Sequence, residues 1–291
     1  LNRQDENIMV ERSKFVVSAQ WLEQRLGQSD LKIVDASWYL PMQNRNAQEE
    51  YRNRHIPGAV FFDQDLVVET ESDLPHTIPS PEAFGALVSD LGLSNSDTII
   101  VYDGPGMFTA PRVWWLLRTM GAPNVFVLDG GFDRWKEAGL PVTDDIPQTV
   151  RGTFQAVFNR QAVATLADMR STVDTCSMQI ADARSAGRFS GADAEPREGM
   201  RSGHMPGARN VPVFSLSSDG QLLALDALRN VITQAGIDLS KPVVTTCGSG
   251  VTAAVITLAL ESLGHQELQL YDGSWSEWGS REDTPVATGD A

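Results

Sequence analysis

Four stretches of this chain occur twice, in the same order. Leu31 to Asp35 (LKIVD) returns as Met178 to Asp182 (MQIAD), and His55 to Ala59 (HIPGA) returns as His204 to Ala208 (HMPGA). Thr98 to Gly106 (TIIVYDGPG) is answered by Val243 to Gly250 (VVTTCGSG), and Leu128 to Trp135 (LDGGFDRW) by Tyr271 to Trp278 (YDGSWSEW). The offset stays between about 143 and 149 residues, well beyond a solenoid period, so the pattern is that of a duplicated domain. A length of 291 residues favours two domains as well. In each copy short β-branched runs alternate with helical stretches. That alternation argues for an α/β class: two tandem domains, each a mainly parallel sheet flanked by helices. The boundaries read as 15–142 and 165–291. The join at 143–164 holds Asp144, Asp145, Pro147 and Gly152, the composition of an exposed linker.

The repeat breaks where chemistry would sit. The run Val243 to Thr246 reads as a buried strand, Cys247 follows it, and Gly248-Ser249-Gly250 leads into an apolar stretch, 251–263, expected to be helical. A cysteine is thus placed on a glycine-bracketed loop between a strand end and a helix start, the position where open α/β sheets put reactive groups. Glycines let several N–H groups turn toward one centre, and the helix dipole adds positive potential there. A thiolate, or an anion attached to it, would be stabilised. The first copy has Asp103 in place of Cys247. A carboxylate is no sulfur nucleophile, so that copy should be catalytically silent.

Charge narrows the partners. A formal net charge of −15 argues against nucleic acid and anionic membrane surfaces. No stretch is long and apolar enough for a membrane span. The start of the chain lacks the apolar core of a signal peptide and reads as a frayed tail. With only Cys176 and Cys247, a reducing, cytoplasmic setting is expected, with Cys176 structural. The segment between 182 and 204 carries Arg184, Arg188, Arg197 and Arg201, a cationic stretch in an acidic protein. A cysteine phosphatase would need an arginine six residues after the cysteine, and Ala253 stands there; no P-loop Gly-Lys-Ser/Thr is present either.

The loop CGSGVTA, and nearly the whole chain after about residue 15, resembles the 3-mercaptopyruvate sulfurtransferases of the rhodanese superfamily. The resemblance implies a Cys247 persulfide held by the N–H groups of Gly248, Ser249, Gly250, Val251 and Thr252. It implies sulfur taken from 3-mercaptopyruvate and handed to a thiol acceptor such as thioredoxin or glutathione, or to cyanide, with neither metal nor cofactor. Arg188 and Arg197 fall on the family's two donor-binding arginines, whose forks match a carboxylate. Ser249 falls on a relay serine and His55 on its histidine, while the relay's acid stays unassigned because Asn44 and Asn46 stand before His55. Thiosulfate as donor and a non-catalytic persulfide carrier or regulatory module are the alternatives.

Overall fold

The computed structural model describes residues 11–290. The tail expected at the start of the chain falls largely outside them. In the first half the strands are β1 (Val16–Val17), β2 (Leu31–Asp35), β3 (Ala59–Phe61), β4 (Thr98–Tyr102) and β5 (Val125–Leu128). The helices are α1 (Ala19–Glu23), α2 (Ala47–Asn53), α3 (Pro81–Asp90), α4 (Ala110–Thr119) and α5 (Gly131–Glu137). The second half runs through β6 (Val163–Ala164), β7 (Gln179–Asp182), β8 (Ala208–Asn210), β9 (Ser217–Ser218), β10 (Gln221–Leu222), β11 (Val243–Thr246) and β12 (Leu268–Tyr271). Its helices are α6 (Leu166–Thr175), α7 (Ala186–Ser190), α8 (Leu225–Gln234), α9 (Ala253–Ser262) and α10 (Ser274–Trp278).

Both five-stranded sheets are parallel, ordered β1-β5-β4-β2-β3 and β6-β12-β11-β7-β8; β9 and β10 form a separate antiparallel hairpin. The second order is the first one transposed, as the repeat requires. Parallel strands are covered on both faces, which is why β4 and β11 read as continuous apolar or β-branched runs rather than alternating ones. Local chemistry sets the helix starts. Ser80 Oγ accepts the Ala83 N–H with Pro81 in the first turn, and Thr165 and Asp168 form a reciprocal capping box.

The halves meet along α4 and α9. Every residue of α9 from Ala253 to Leu260 is buried, and so is every residue of α4 from Ala110 to Leu117. A helix that is apolar on all sides belongs in an interior, and the two helices supply each other with one. Val255, Ile256, Leu258 and Leu260 alone contribute roughly 6–12 kcal/mol of gross transfer free energy. One apolar core therefore runs through both halves, while smaller clusters around Trp135 and around Trp275 cover the outer sheet faces.

The segment 143–164 is largely exposed and is also pinned to the first half. Gly152 N–H donates to Ser89 C=O at 2.8 Å, a Cβ at Gly152 would lie 2.0 Å from Leu93 O, and Phe154 is buried edge-on to Phe84. Its proline, glycine and aspartates reproduce loop composition, but the buried Phe154 anchors it to the first half. The helix expected over 251–263 starts at Ala253, because Val251 and Thr252 still belong to the turn of the loop.

Candidate active site

Cys247 directly follows β11 and is 2% exposed. The loop after it is tied to α10. Trp275 N–H donates to Cys247 C=O at 3.0 Å, and Gly248 C=O accepts from Ser276 N–H at 2.8 Å and Ser276 Oγ at 2.7 Å. The Cys247 N–H itself reaches Ser274 Oγ at 3.3 Å. Gly250 sits at φ 80, and a Cβ there would meet both Arg112 Nη1 and Asp272 O at 3.1 Å. Glycine is required at that turn for conformation and for space.

The first half displays what such a loop binds. Asp103 is fully buried, and one carboxylate oxygen accepts the Gly106 N–H at 2.6 Å. The other accepts from Phe108 at 3.0 Å, Thr109 at 2.6 Å and Ala110 at 2.7 Å. Four amides thus surround an anion three atoms out from Cα, the geometry of a backbone anion nest. In the second half the matching amides are those of Gly250, Thr252, Ala253 and Ala254. The Ala254 N–H also lies 3.3 Å from Val251 O. A sulfur attached to Cys247 Sγ would likewise be three atoms out from Cα. The matching amides thus lie toward the helix start, while Gly248 C=O is engaged by α10.

The histidine that reaches Ser249 is not His55. His55 is fully buried and stacks on Tyr51 with ring centroids 4.3 Å apart. Its Nδ1 lies 2.6 Å from Tyr51 O and its Nε2 3.2 Å from Asp145 O, so both ring nitrogens face backbone carbonyls rather than Ser249. His204 repeats this role against Phe189. The histidine beside Ser249 is His76, with Nδ1 3.0 Å from Ser249 Oγ and Nε2 3.1 Å from Asp65 Oδ1. A carboxylate can only accept, so Nε2 carries the proton and Nδ1 accepts from the Ser249 hydroxyl. The hydrogen bond from His76, helped by one from Trp38, holds the Asp65 carboxyl below its usual range. Trp38 Nε1 lies 3.0 Å from both Asp65 oxygens, and its ring stands edge-on to His76. A signal for this existed in the sequence. His55 and His204 are repeat partners, as structural residues would be, whereas the chain from Phe62 to Ser80 is longer than its counterpart and its His76 has none.

Of the four arginines, two come to the loop. Arg188 pairs with the buried side chain of Glu195 at 2.5 Å, and its Nη2 would be 3.0 Å from a Cβ on Gly248. Arg197 donates to Ser276 Oγ at 3.3 Å. Burial, followed by the nearby charge of Arg188, lowers its guanidinium pKa, while Cys247, Glu195 and Asp65 oppose the change. Arg184 is consumed by Asp182, Glu195 and Gly203 O, and Arg201 ties down Trp278, Gly279 and Thr284. Cys176 is exposed and caps α6 at φ 55. Among the described residues no group of His, Cys, Asp and Glu is arranged to hold a metal, and no helix is long and apolar enough to cross a membrane.

Comparison with known proteins agrees with the duplicated fold. The family model described as Rhodanese-like domain matches twice, at residues 18–138 and 165–281. The 3-mercaptopyruvate sulfurtransferase of Escherichia coli strain K12 is 43% identical, over 94% of this chain and 97% of that protein. Thiosulfate/3-mercaptopyruvate sulfurtransferase 1, mitochondrial, of Arabidopsis thaliana is 40% identical, over 95% and 79%. Among solved structures, SseA from Escherichia coli, one of the 3-mercaptopyruvate sulfotransferases, superposes with a TM-score of 0.84 at 41% identity, covering 90% of this chain and 98% of that one.

Proposed function

This chain belongs to the rhodanese family, and on that premise we propose that it is a sulfurtransferase using 3-mercaptopyruvate as donor. The Cys247 thiolate attacks the donor's thiol sulfur, a sulfur–sulfur bond forms, and the sulfur–carbon bond breaks with its electron pair passing to an enolate. The proton leaving the donor's thiol finishes on the methyl carbon of pyruvate, carried by Ser249 and His76, with Asp65 countering the imidazolium charge while His76 holds it. The product enzyme is Cys247–S–S⁻, its outer sulfur held by the loop amides. Arg188 and Arg197 hold the donor's carboxylate and keto oxygen. A second nucleophile then takes the outer sulfur: a thiol such as that of thioredoxin or glutathione, or cyanide. Two free cysteines fit a reducing compartment such as the cytoplasm.

The observation that carries this reading is the Ser249–His76–Asp65 chain beside Cys247. Thiosulfate releases sulfite, a weak base that leaves without a proton, whereas an enolate needs one. The loop's neutral Gly248 and Ser249 also bring no cation of their own to a compact dianion. Steady-state rates with both donors against cyanide, at fixed ionic strength, test the choice, and the mass of Cys247 after one turnover tests the carrier. Mercaptopyruvate is expected to win by orders of magnitude in kcat/KM and to leave one extra sulfur on Cys247. A preference for thiosulfate, or no turnover of either donor, would overturn the proposal.

A further inference from the structure

The relay is built across the two halves, since Ser249 comes from one and His76 from the other, with 173 positions between them. Something must hold that contact. We infer that Arg112 is the positioning residue that does so, gripping the His76 backbone and the sulfur-holding loop at once; the inference rests on the function proposed above.

Arg112 is 1% exposed and lies in α4, otherwise apolar through its buried stretch. Its Nη2 donates to His76 C=O at 2.5 Å and to Asp272 Oδ1 at 2.7 Å, and its Nη1 to Gly250 C=O at 3.4 Å. The second oxygen of Asp272 accepts the Ile78 N–H at 2.8 Å. His76 is therefore fastened at its own carbonyl and again two residues on. The fastening matters because His76 has φ 59, a left-handed conformation that a side chain as bulky as imidazole keeps only when its surroundings impose it. At its other end the same guanidinium holds Gly250, whose amide belongs to the cradle. Asp272 in turn belongs to the turn that carries Ser274, the hydroxyl behind Cys247. One planar fork thereby sets the distance between the proton relay and the sulfur.

The repeat sharpens the point. The position of Arg112 in α4 corresponds to Ile256 in α9, and Asp272 corresponds to Asp129. Asp129 accepts an N–H from the opposite half, that of Leu222, but has no buried arginine. A buried charge is costly and is no better for stability than well-packed apolar groups. The cation appears only on the side where the relay is.

The test compares Arg112→Ala, Arg112→Lys and Asp272→Asn with Arg118→Ala, which cuts the ion pair between α4 and Glu261 of α9 at a partly exposed site. The first three should lower kcat for mercaptopyruvate by about a hundredfold while KM moves less than about threefold, as expected when reacting groups are misplaced but the donor still binds. The His76 Nδ1 resonance, followed by ¹⁵N NMR, should move toward that of a ring without its serine partner. Arg118→Ala should change neither. A kcat within about threefold of wild type, KM rising as kcat falls, or an equal effect from Arg118→Ala would overturn the inference. So would failure of all three site variants to fold while Arg118→Ala folds, since the pair would then be structural. If the wild type releases no pyruvate from mercaptopyruvate, the proposed function fails instead. The His76 resonance still decides here: an unmoved signal in Arg112→Lys overturns the positioning role.

Discussion

Asp103 and Cys247 occupy the same point of the same strand–loop–helix turn, one in each half. In the first half the chain supplies its own anion, and four amides close on the Asp103 carboxylate. In the second half the side chain is one atom shorter than the cradle needs, and the missing atom is a transferable sulfur. The comparison teaches that two copies of one turn can share one electrostatic device and differ in their chemistry. What separates them is whether the charge is permanent or delivered. The same contrast governs the flanking residues. Asp182 is paired with Arg184 inside a cationic segment, whereas Asp35 has Ser37 at the corresponding place and is left buried without a cation.

Putting a permanent anion into the second half tests the equivalence most severely. Cys247→Asp should abolish pyruvate release, a loss of at least about 10⁴-fold in kcat, yet melt several degrees above Cys247→Ser because charged acceptors satisfy amides by about 1.5–3 kcal/mol. A melting point below that of Cys247→Ser would show that the two cradles differ. Cys176→Ser should leave turnover intact.

The histidines separate function from support. His76→Ala should cut kcat by roughly 10²–10⁴-fold with a small change in unfolding midpoint. His55→Ala should keep its activity per folded molecule but lose on the order of 2–4 kcal/mol of stability, since a stacked ring and two backbone partners go. Measuring kcat and urea midpoints on the same preparations decides it, and the reverse pattern would return the relay to His55.

Among the arginines, Arg188→Ala and Arg197→Ala should each cost roughly 2–5 kcal/mol in kcat/KM. Arg201→Ala should instead lower the denaturation midpoint, because its partners are carbonyls of the C-terminal turn. Similar small kinetic losses for all three would place the donor elsewhere.

Asp103→Ala strips the first cradle and leaves four amides without their acceptor. About 3 kcal/mol of stability should be lost, with the chemistry at Cys247 affected only through the loss of folded protein. Urea titration with parallel assays checks both parts.

The smallest effect concerns Asp35. Burial, against hydrogen bonds from Ser37 and Tyr102, pushes its carboxyl up to about 6. The native state therefore binds this proton more tightly than the unfolded chain, whose carboxyl titrates near 4. Stability from this group is greatest below about pH 4 and declines as pH rises to about 6. Asp35→Asn, which keeps an acceptor for Ser37, should gain on the order of 1–3 kcal/mol at pH 7 and nothing below pH 4. A pH-independent gain would mean that the carboxyl is not perturbed.

Short-range features of the chain sufficed for a great deal: the duplication, the parallel α/β class and the turn around Cys247. Each is written in neighbouring residues, because strand and helix periods and glycine turns are decided over a few φ/ψ pairs. His76, Asp65, Trp38 and Arg112 were not legible in that way. They act on Ser249 and Gly250 from loops and a helix more than a hundred residues away, and no local period encodes such a meeting. It is decided when α4 and α9 bury their apolar surfaces against each other and fix the two halves in register. His55 follows the same logic, since its Pro-Gly turn is a local motif that recurs at His204, and a motif shared by both halves cannot by itself mark the half that does the chemistry.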